Sequence, residues 1–220
     1  MIITVANLRY RFGKLNKNIA REIKNSWGDF CHRGFKEKGR YTITRNFANL
    51  WSFKTFFKKR LARDLINYNM LMLHSASFVY NGVTFLFLGE SGRGKSTLVK
   101  MVENRALILN DETNIVDTGD LRVYSTPFWG DVPLFTPYSS KVSKIFVLDK
   151  LYHDVVRRLN KKDALPRILK TVLIDTESAK VKIKLFKLVL KLLQNCEFYL
   201  FSYSLNSDIF RLLLDTCNNL

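Results

Sequence analysis

Apolar and polar positions alternate loosely over residues 2–12, with Ile3, Val5, Leu8, Tyr10 and Phe12 in phase. A period of two predicts a strand or two there. Tyr41-Thr42-Ile43-Thr44 is another short strand candidate, and the polar, lysine-rich stretch between, with Gly34 and Gly39, reads as hairpin loops. Phe53, Phe56, Phe57, Arg60, Leu61 and Leu65 then recur three and four residues apart, which predicts a helix with an aromatic, core-facing side.

From Leu71 the pattern changes. Residues 71–80 and 83–88 are two apolar runs rich in aromatic and β-branched residues, joined by Asn81-Gly82. That dipeptide suits a type I′ turn, which needs positive φ at both centres, so the two runs should pair antiparallel. Further on, 95–103 reads as a helix, 106–109 as a buried strand, 121–125 and 144–148 as strands around a Pro-containing loop, and 151–159 as a helix. Val181, Leu185, Leu188, Val189 and Leu192 against Lys180, Lys184, Lys187 and Lys191 mark an amphipathic helix over 181–193. A strand over 197–203 and a helix over 207–217 complete an α/β pattern. The chain divides into a basic, β-rich N-terminal region with a helix, 1–70, and a second unit, 71–220.

Composition adds limits. The 220 residues, 47% of them apolar, suit one domain or one domain with a small appendage. No apolar run approaches the roughly 20 residues of a membrane span, and the N-terminus has no signal-peptide pattern, so a cytoplasmic protein is expected. Cys31, Cys196 and Cys217 lie far apart beside only three histidines, which gives no metal-ligand spacing and implies reduced structural thiols. The net charge of +17 is uneven: residues 1–70 carry sixteen Lys or Arg against four acids, whereas 71–150 carry eight against eight. A surplus of that kind attracts acidic partners or is simply a solvated surface. Lys58, Lys59 and Arg60 belong to it and are expected to draw in an acidic acceptor.

Gly89-Glu90-Ser91-Gly92-Arg93-Gly94-Lys95-Ser96 matches G-x-x-x-x-G-K-[ST] at every fixed position and sits between a predicted strand and a predicted helix. Glycines let successive backbone N–H groups approach phosphate oxygens, and the helix N-terminus favours the same anion. Lys95 is expected to reach the β- and γ-phosphates, and the Ser96 hydroxyl to take a Mg²⁺ position, with Thr97 following in the helix. ATP or GTP is the implied ligand. Arg93 is expected to point to solvent rather than to phosphate.

Asp111 and Glu112 follow the next strand, where an acid can hold Mg²⁺ or accept a proton from an attacking hydroxyl. His74 lies on the strand before the hairpin and reads, by position alone, as a hydrogen-bonded core histidine. Thr126-Pro127-Phe128-Trp129-Gly130-Asp131 is either a packed turn or a wall beside the acceptor, with Asp131 as a candidate second acid.

Together Leu73-His74-Ser75-Ala76, the phosphate loop with Thr97-Leu98, Asn110-Asp111-Glu112 and Thr126–Gly130 resemble the HPr kinase/phosphorylase family, especially its small diverged members such as the lasso-peptide precursor kinases. The resemblance runs from about residue 71 to 150 and more weakly to the C-terminus. It implies a mixed β-sheet P-loop kinase core of the HPr kinase and phosphoenolpyruvate carboxykinase type, ATP and Mg²⁺ as cofactors, and phosphorylation of a serine hydroxyl. Asp111 matches the family's base, Glu112 its second acid, and His74 the histidine beside them. Glu112 stands where the family usually has Asp, and the glycine-rich signature after the acid pair and the separate N-terminal domain are both missing, which argues against phosphorolysis and against HPr as acceptor. The expected activity is thus a peptide or protein serine kinase. A small-molecule hydroxyl kinase and a nucleotide-gated binding protein are the alternatives. No nucleic-acid module is recognisable, and self-association is left open.

Overall fold

The computed structural model describes residues 1–31, 38–151, 153–174 and 176–218. It is a mixed α/β structure with two sheets. Strands β1 (Ile2–Val5) and β2 (Leu8–Phe12) form an antiparallel hairpin, and β3 (Gly39–Ile43) joins β2 in parallel. Gly39 therefore lies in a strand and not in a loop. A Cβ there would run into the Tyr68 ring, so the close strand-to-ring approach requires glycine. Gly34 falls outside the described residues.

The expectation of a β-rich N-terminal region needs correcting. Helix α1 (Lys17–Trp27) fills the stretch expected to be loop, and α2 (Leu50–Leu65) adds sixteen more helical residues, outweighing three short strands. Ile19, Ile23 and Trp27 are buried at four-residue spacing, a stripe that the lysine-rich composition obscures. Helix α2 opens with a capping box, Asn49 and Ser52 satisfying each other's backbone N–H groups. Its aromatic face is core as expected: Phe53 and Phe57 pack with Phe12 and Trp27.

The nine-stranded sheet has the order β11-β12-β10-β5-β4-β7-β8-β9, with β6 also paired to β4. Its strands are β4 (Met70–Tyr80), β5 (Val83–Leu88), β6 (Leu107–Asn110), β7 (Thr113–Asp117), β8 (Arg122–Tyr124), β9 (Ser139–Lys141), β10 (Lys144–Leu148), β11 (Val155–Leu159) and β12 (Glu197–Ser202). Strands β4 and β5 are joined as predicted, with φ of 48° at Asn81 and 75° at Gly82. Strand β10 runs parallel to both β5 and β12, so the sheet is mixed.

Helices cover both faces. Leu86 and Leu88 of β5 face a core with α4 (Lys161–Thr171) and α5 (Ala179–Asn195), while Phe85 and Phe87 face α3 (Lys95–Val102) and α6 (Ile209–Asn218). Residues 151–159 are not helical: Val155–Leu159 pairs antiparallel with β12 at the sheet edge. Two adjacent β-branched valines followed by two arginines suit a half-exposed edge strand better than a helix. Helix α4, starting on an Asn160 cap to the Asp163 N–H, was not foreseen. Among the described residues no helix is long and apolar enough to cross a membrane. Cys31 and Cys196 are free thiols; Cys217 lies outside the residues whose side chains are described.

Strand β4 organises the site. Met70 and Met72 pack into the N-terminal core with Trp27, Phe57 and Phe128, whereas Ala76 and Phe78 pack under α3 and α6. Side chains two apart share a face, so His74 lies on that same face between the two apolar clusters. The far edge of β4 is also divided: β7 pairs with Met70–His74 and β6 with Ser77–Val79. The chain crosses from β6 to β7 at Asp111-Glu112, where the Ser75 N–H donates to the Glu112 carbonyl at 2.9 Å. One break in pairing thereby sets both acids beside His74.

Candidate functional site

The phosphate loop links β5 to α3 at the edge of a cavity of about 750 Å³, lined on one side by His74, Asp111, Glu112, Gly130 and Asp131. Gly92 and Gly94 have φ of 76° and 98°, a region L-residues rarely occupy. A Cβ on Gly94 would also meet Tyr203 Oη at 2.9 Å, and that hydroxyl donates to the Gly94 carbonyl at 2.6 Å. Ser91, Gly92, Arg93, Gly94, Lys95, Ser96 and Thr97 all line the cavity. Gly89 and Glu90 do not. Their carbonyls instead accept from the Lys95 ammonium at 2.8 and 3.0 Å.

Lys95 is buried. Burial pushes its pKa down to about 8, against the opposing pull of Glu112 and Asp111. An ammonium has three donors; two are used by the loop, and the third has no protein acceptor among the described residues. A buried cation with a donor left over at a cavity wall fits an anion, and the open space beside the Gly92 Cα leaves room for one.

Asp111 is 1% exposed. Its Oδ1 accepts from the Gly130 N–H at 2.9 Å and its Oδ2 from the Val132 N–H at 3.0 Å. Burial raises its pKa above the ordinary carboxylate range, the two N–H groups work against that, and the Glu112 charge adds to it. The 126–131 segment is therefore the backbone clamp of the acid. Gly130 keeps the approach close: a Cβ there would sit 3.1 Å from Asp111 Oδ2 and Glu112 Oε2, and both carboxylates would have to shift slightly. The segment is held from behind by the N-terminal unit, with Phe128 against Trp27 and Phe57 and Lys54 over the Trp129 ring. Asp131 is exposed at the cavity wall.

Asn110 fixes the turn between the strands: its Oδ1 accepts from the N–H groups of Glu112 and Thr113, and its Nδ2 donates to the Thr126 carbonyl. The Glu112 carboxylate takes an ion pair from Lys58 Nζ at 3.1 Å. The His74 ring is held neutral near pH 7: burial first, then the Lys95 and Lys58 charges, lower its pKa to about 4.

Three readings change. Arg93 does not simply point to solvent; its guanidinium pairs with Asp149 at 3.0 Å, and Asp149 also pairs with Arg167. Two members of the basic run of α2 have internal partners, Lys58 with Glu112 and Arg60 with the buried Asp64 at 2.7 Å, while Lys59 is exposed. Asp149, Tyr203 and Lys58 were missed as site residues. Asp149 had a signal: it ends Lys144-Ile-Phe-Val-Leu, an apolar strand beside the phosphate-loop strand. Lys58 had none, since nothing local points it at a residue 54 positions away.

A Mg²⁺ ion needs few protein ligands when phosphate and water supply the rest. Among the described residues no group of three His, Cys, Asp or Glu is placed to hold a metal alone. Ser96 and Glu112 both line the cavity, and Lys58 pairs with one oxygen of the Glu112 carboxylate.

No family model matches the chain, and no curated protein matches it. Among solved structures, the HPr(Ser) kinase/phosphatase from Coxiella burnetii is similar over 67% of this chain and 88% of its own, at 14% identity and a TM-score of 0.31. At those values the likeness adds nothing to what the residues themselves carry.

Proposed function

We propose that the chain is an ATP-dependent phosphotransferase acting on a hydroxyl group, with a serine of a peptide or protein as acceptor. The observation that carries this reading is the placing of a buried Lys95, with one donor free, across one cavity from a buried acid, Asp111, whose pKa is raised. A carboxylate that faces the loop across the cavity, with its pKa raised, suits a proton acceptor for an attacking hydroxyl.

In this reading the acceptor oxygen bonds to the γ-phosphorus as the bond to the β–γ bridging oxygen breaks, ADP leaves, and the acceptor's proton passes to Asp111. Lys95 and the N–H groups of the loop hold the phosphates and offset developing charge. Ser96 and Glu112 would hold Mg²⁺, which when bound would further neutralise the phosphate oxygens. Neutral His74 fills the gap between the acids and the loop without adding a third cation. Residues 1–70 act as the rear wall of this site, and 71–220 as the nucleotide-binding unit.

The test is label transfer from γ-labelled ATP to a panel of serine-bearing peptides with acidic and neutral flanks. Transfer that disappears in Asp111→Asn, while nucleotide still binds, supports the reading. A chain that binds ATP tightly and labels none of these acceptors is not a peptide kinase.

A further inference from the structure

The phosphate-loop strand β5 lies mid-sheet, and its two neighbours differ in chemistry. On the β4 side stand His74, Asp111 and Glu112. On the β10 and β12 side the same cavity is lined by Asp149, Lys150, Leu151, Tyr203, Ser204 and Leu205. Two large apolar residues are exposed there, Leu205 at 75% and Leu151 at 40%. Both line the cavity and so offer an apolar face to a ligand within it.

The two segments carrying them are joined. Ser202 Oγ bonds both the N–H and the carbonyl of Leu151, at 3.1 and 3.4 Å. Asp154 Oδ1 accepts from the Ser204 N–H at 2.8 Å and from the Ser207 hydroxyl at 2.6 Å. Tyr203 ties the same turn to the Gly94 carbonyl. The segments that carry the two leucines are thus tied to one another and to the phosphate loop.

We infer that Leu151 and Leu205 form the nucleobase subsite, taking the faces of a planar heterocycle whose phosphates lie in the loop. This rests on the phosphotransferase reading for the direction of the nucleotide: with the γ-phosphate at the acids, the base lies on the opposite side of β5. The acid side of the cavity, lined by His74, Asp111, Glu112, Gly130 and Asp131, presents no aliphatic side chain. The β10–β12 side offers two leucines, with Ser204 and Lys150 nearby for the polar ring edge. Stacking on aliphatic faces tolerates any purine, so selectivity for one base falls to those polar groups.

The experiment compares binding of Mg²⁺-ATP and of inorganic tripolyphosphate, by calorimetry, in the wild type, Leu205→Ser and Leu151→Ser. Both compounds occupy the loop, but only ATP carries a base. The wild type should bind ATP at least tenfold more tightly than tripolyphosphate. Each serine variant should lose about five- to tenfold for ATP and less than twofold for tripolyphosphate. Leu205 is exposed, so its replacement leaves the fold intact, and Leu151→Ser is read only if its circular dichroism and melting match the wild type. Equal losses for both ligands, or none for ATP, overturn the subsite while leaving the phosphate loop standing. Failure of the wild type to bind either compound overturns the phosphotransferase reading itself.

Discussion

Lys58 Nζ lies 3.1 Å from Glu112 Oε1, across 54 positions of chain. The N-terminal unit therefore reaches into the acid pair and does not merely surround it. Both side chains are about 30% exposed, so the pair is worth little as stabilisation after solvent screening. On the proposed reading its consequence is competition, because the ammonium on Oε1 offsets the charge that a metal at Glu112 would use. Lys58→Met should lower the Mg²⁺ concentration that half-saturates transfer by about two- to fivefold, with little change in melting temperature. An unchanged or higher Mg²⁺ requirement would mean that Glu112 is not a metal partner.

His74 should be neutral throughout the physiological range. Burial, Lys95 and Lys58 hold its pKa near 4, against an ordinary 6.5. The unfolded chain takes up the proton near 6.5 and the folded chain only near 4, so stability is lost as pH falls through that window. The His74 ring resonances should titrate near 4 by NMR, and higher in Lys58→Met. Titration at or above 6.5 in the wild type would contradict the burial of the ring first, and the nearness of the two lysines with it.

The phosphate loop, the Asn-Gly hairpin, β10 and the aromatic face of α2 were legible because each is local. A fixed motif, a turn that needs positive φ, and a repeat of three and four all lie within a dozen residues. The acid pair was legible as chemistry but not as geometry, since its placing depends on β6 and β7 sharing one edge of β4. Helix α1 was hidden because Lys17, Arg21, Glu22 and Lys24 surround only three buried positions. Edge strand β11 was misread because Leu151, Val155 and Leu159 happen to fall four apart. The role of the basic surplus was least legible. Charge counts do not show that Lys58 and Arg60 already have internal partners.

Asp111→Asn changes more than a charge. Both carboxylate oxygens accept backbone N–H groups, and an amide can accept only one, its NH₂ facing the other donor. Transfer should fall by at least about a hundredfold through loss of the base. Stability should fall by about 1–2 kcal/mol through the unpaired N–H. Nucleotide affinity should stay within about threefold. Retention of most of the transfer rate would remove Asp111 as the base, whatever happens to stability.

On the proposed reading Lys95 should give nucleotide binding a pH dependence. With the free-protein pKa pushed down to about 8, the ammonium that meets phosphate is fully present only below that pH. ATP affinity should weaken as pH rises through about 8, and binding near pH 8 should take up protons, seen as a buffer-dependent calorimetric heat. For folding the sign is opposite: the buried charge opposes the folded state below pH 8, and this is relieved as pH rises from 8 towards 10.5. Lys95→Met should lose the proton uptake and weaken ATP by at least about tenfold. Proton uptake that persists in that variant would assign it to another group.

Asn110 is the residue on which the acids' position most depends. It is fully buried, and its three hydrogen bonds join the 110–113 turn to the Thr126 carbonyl. Asn110→Ala takes this partner from one buried N–H group, one part-buried N–H group and one buried carbonyl, at about 1–3 kcal/mol for each buried group and not fully additive. A loss of about 3 kcal/mol is expected by denaturant titration. Asn110→Asp keeps the acceptor for Glu112 and Thr113 but sets a carboxylate oxygen against the Thr126 carbonyl. That variant should retain the turn and loosen the 126–132 clamp, so transfer falls more than ATP affinity does. If Asn110→Ala unfolds within 1 kcal/mol of the wild type, the turn does not depend on this side chain, and the acids are held by the strand pairing of β6 and β7 alone.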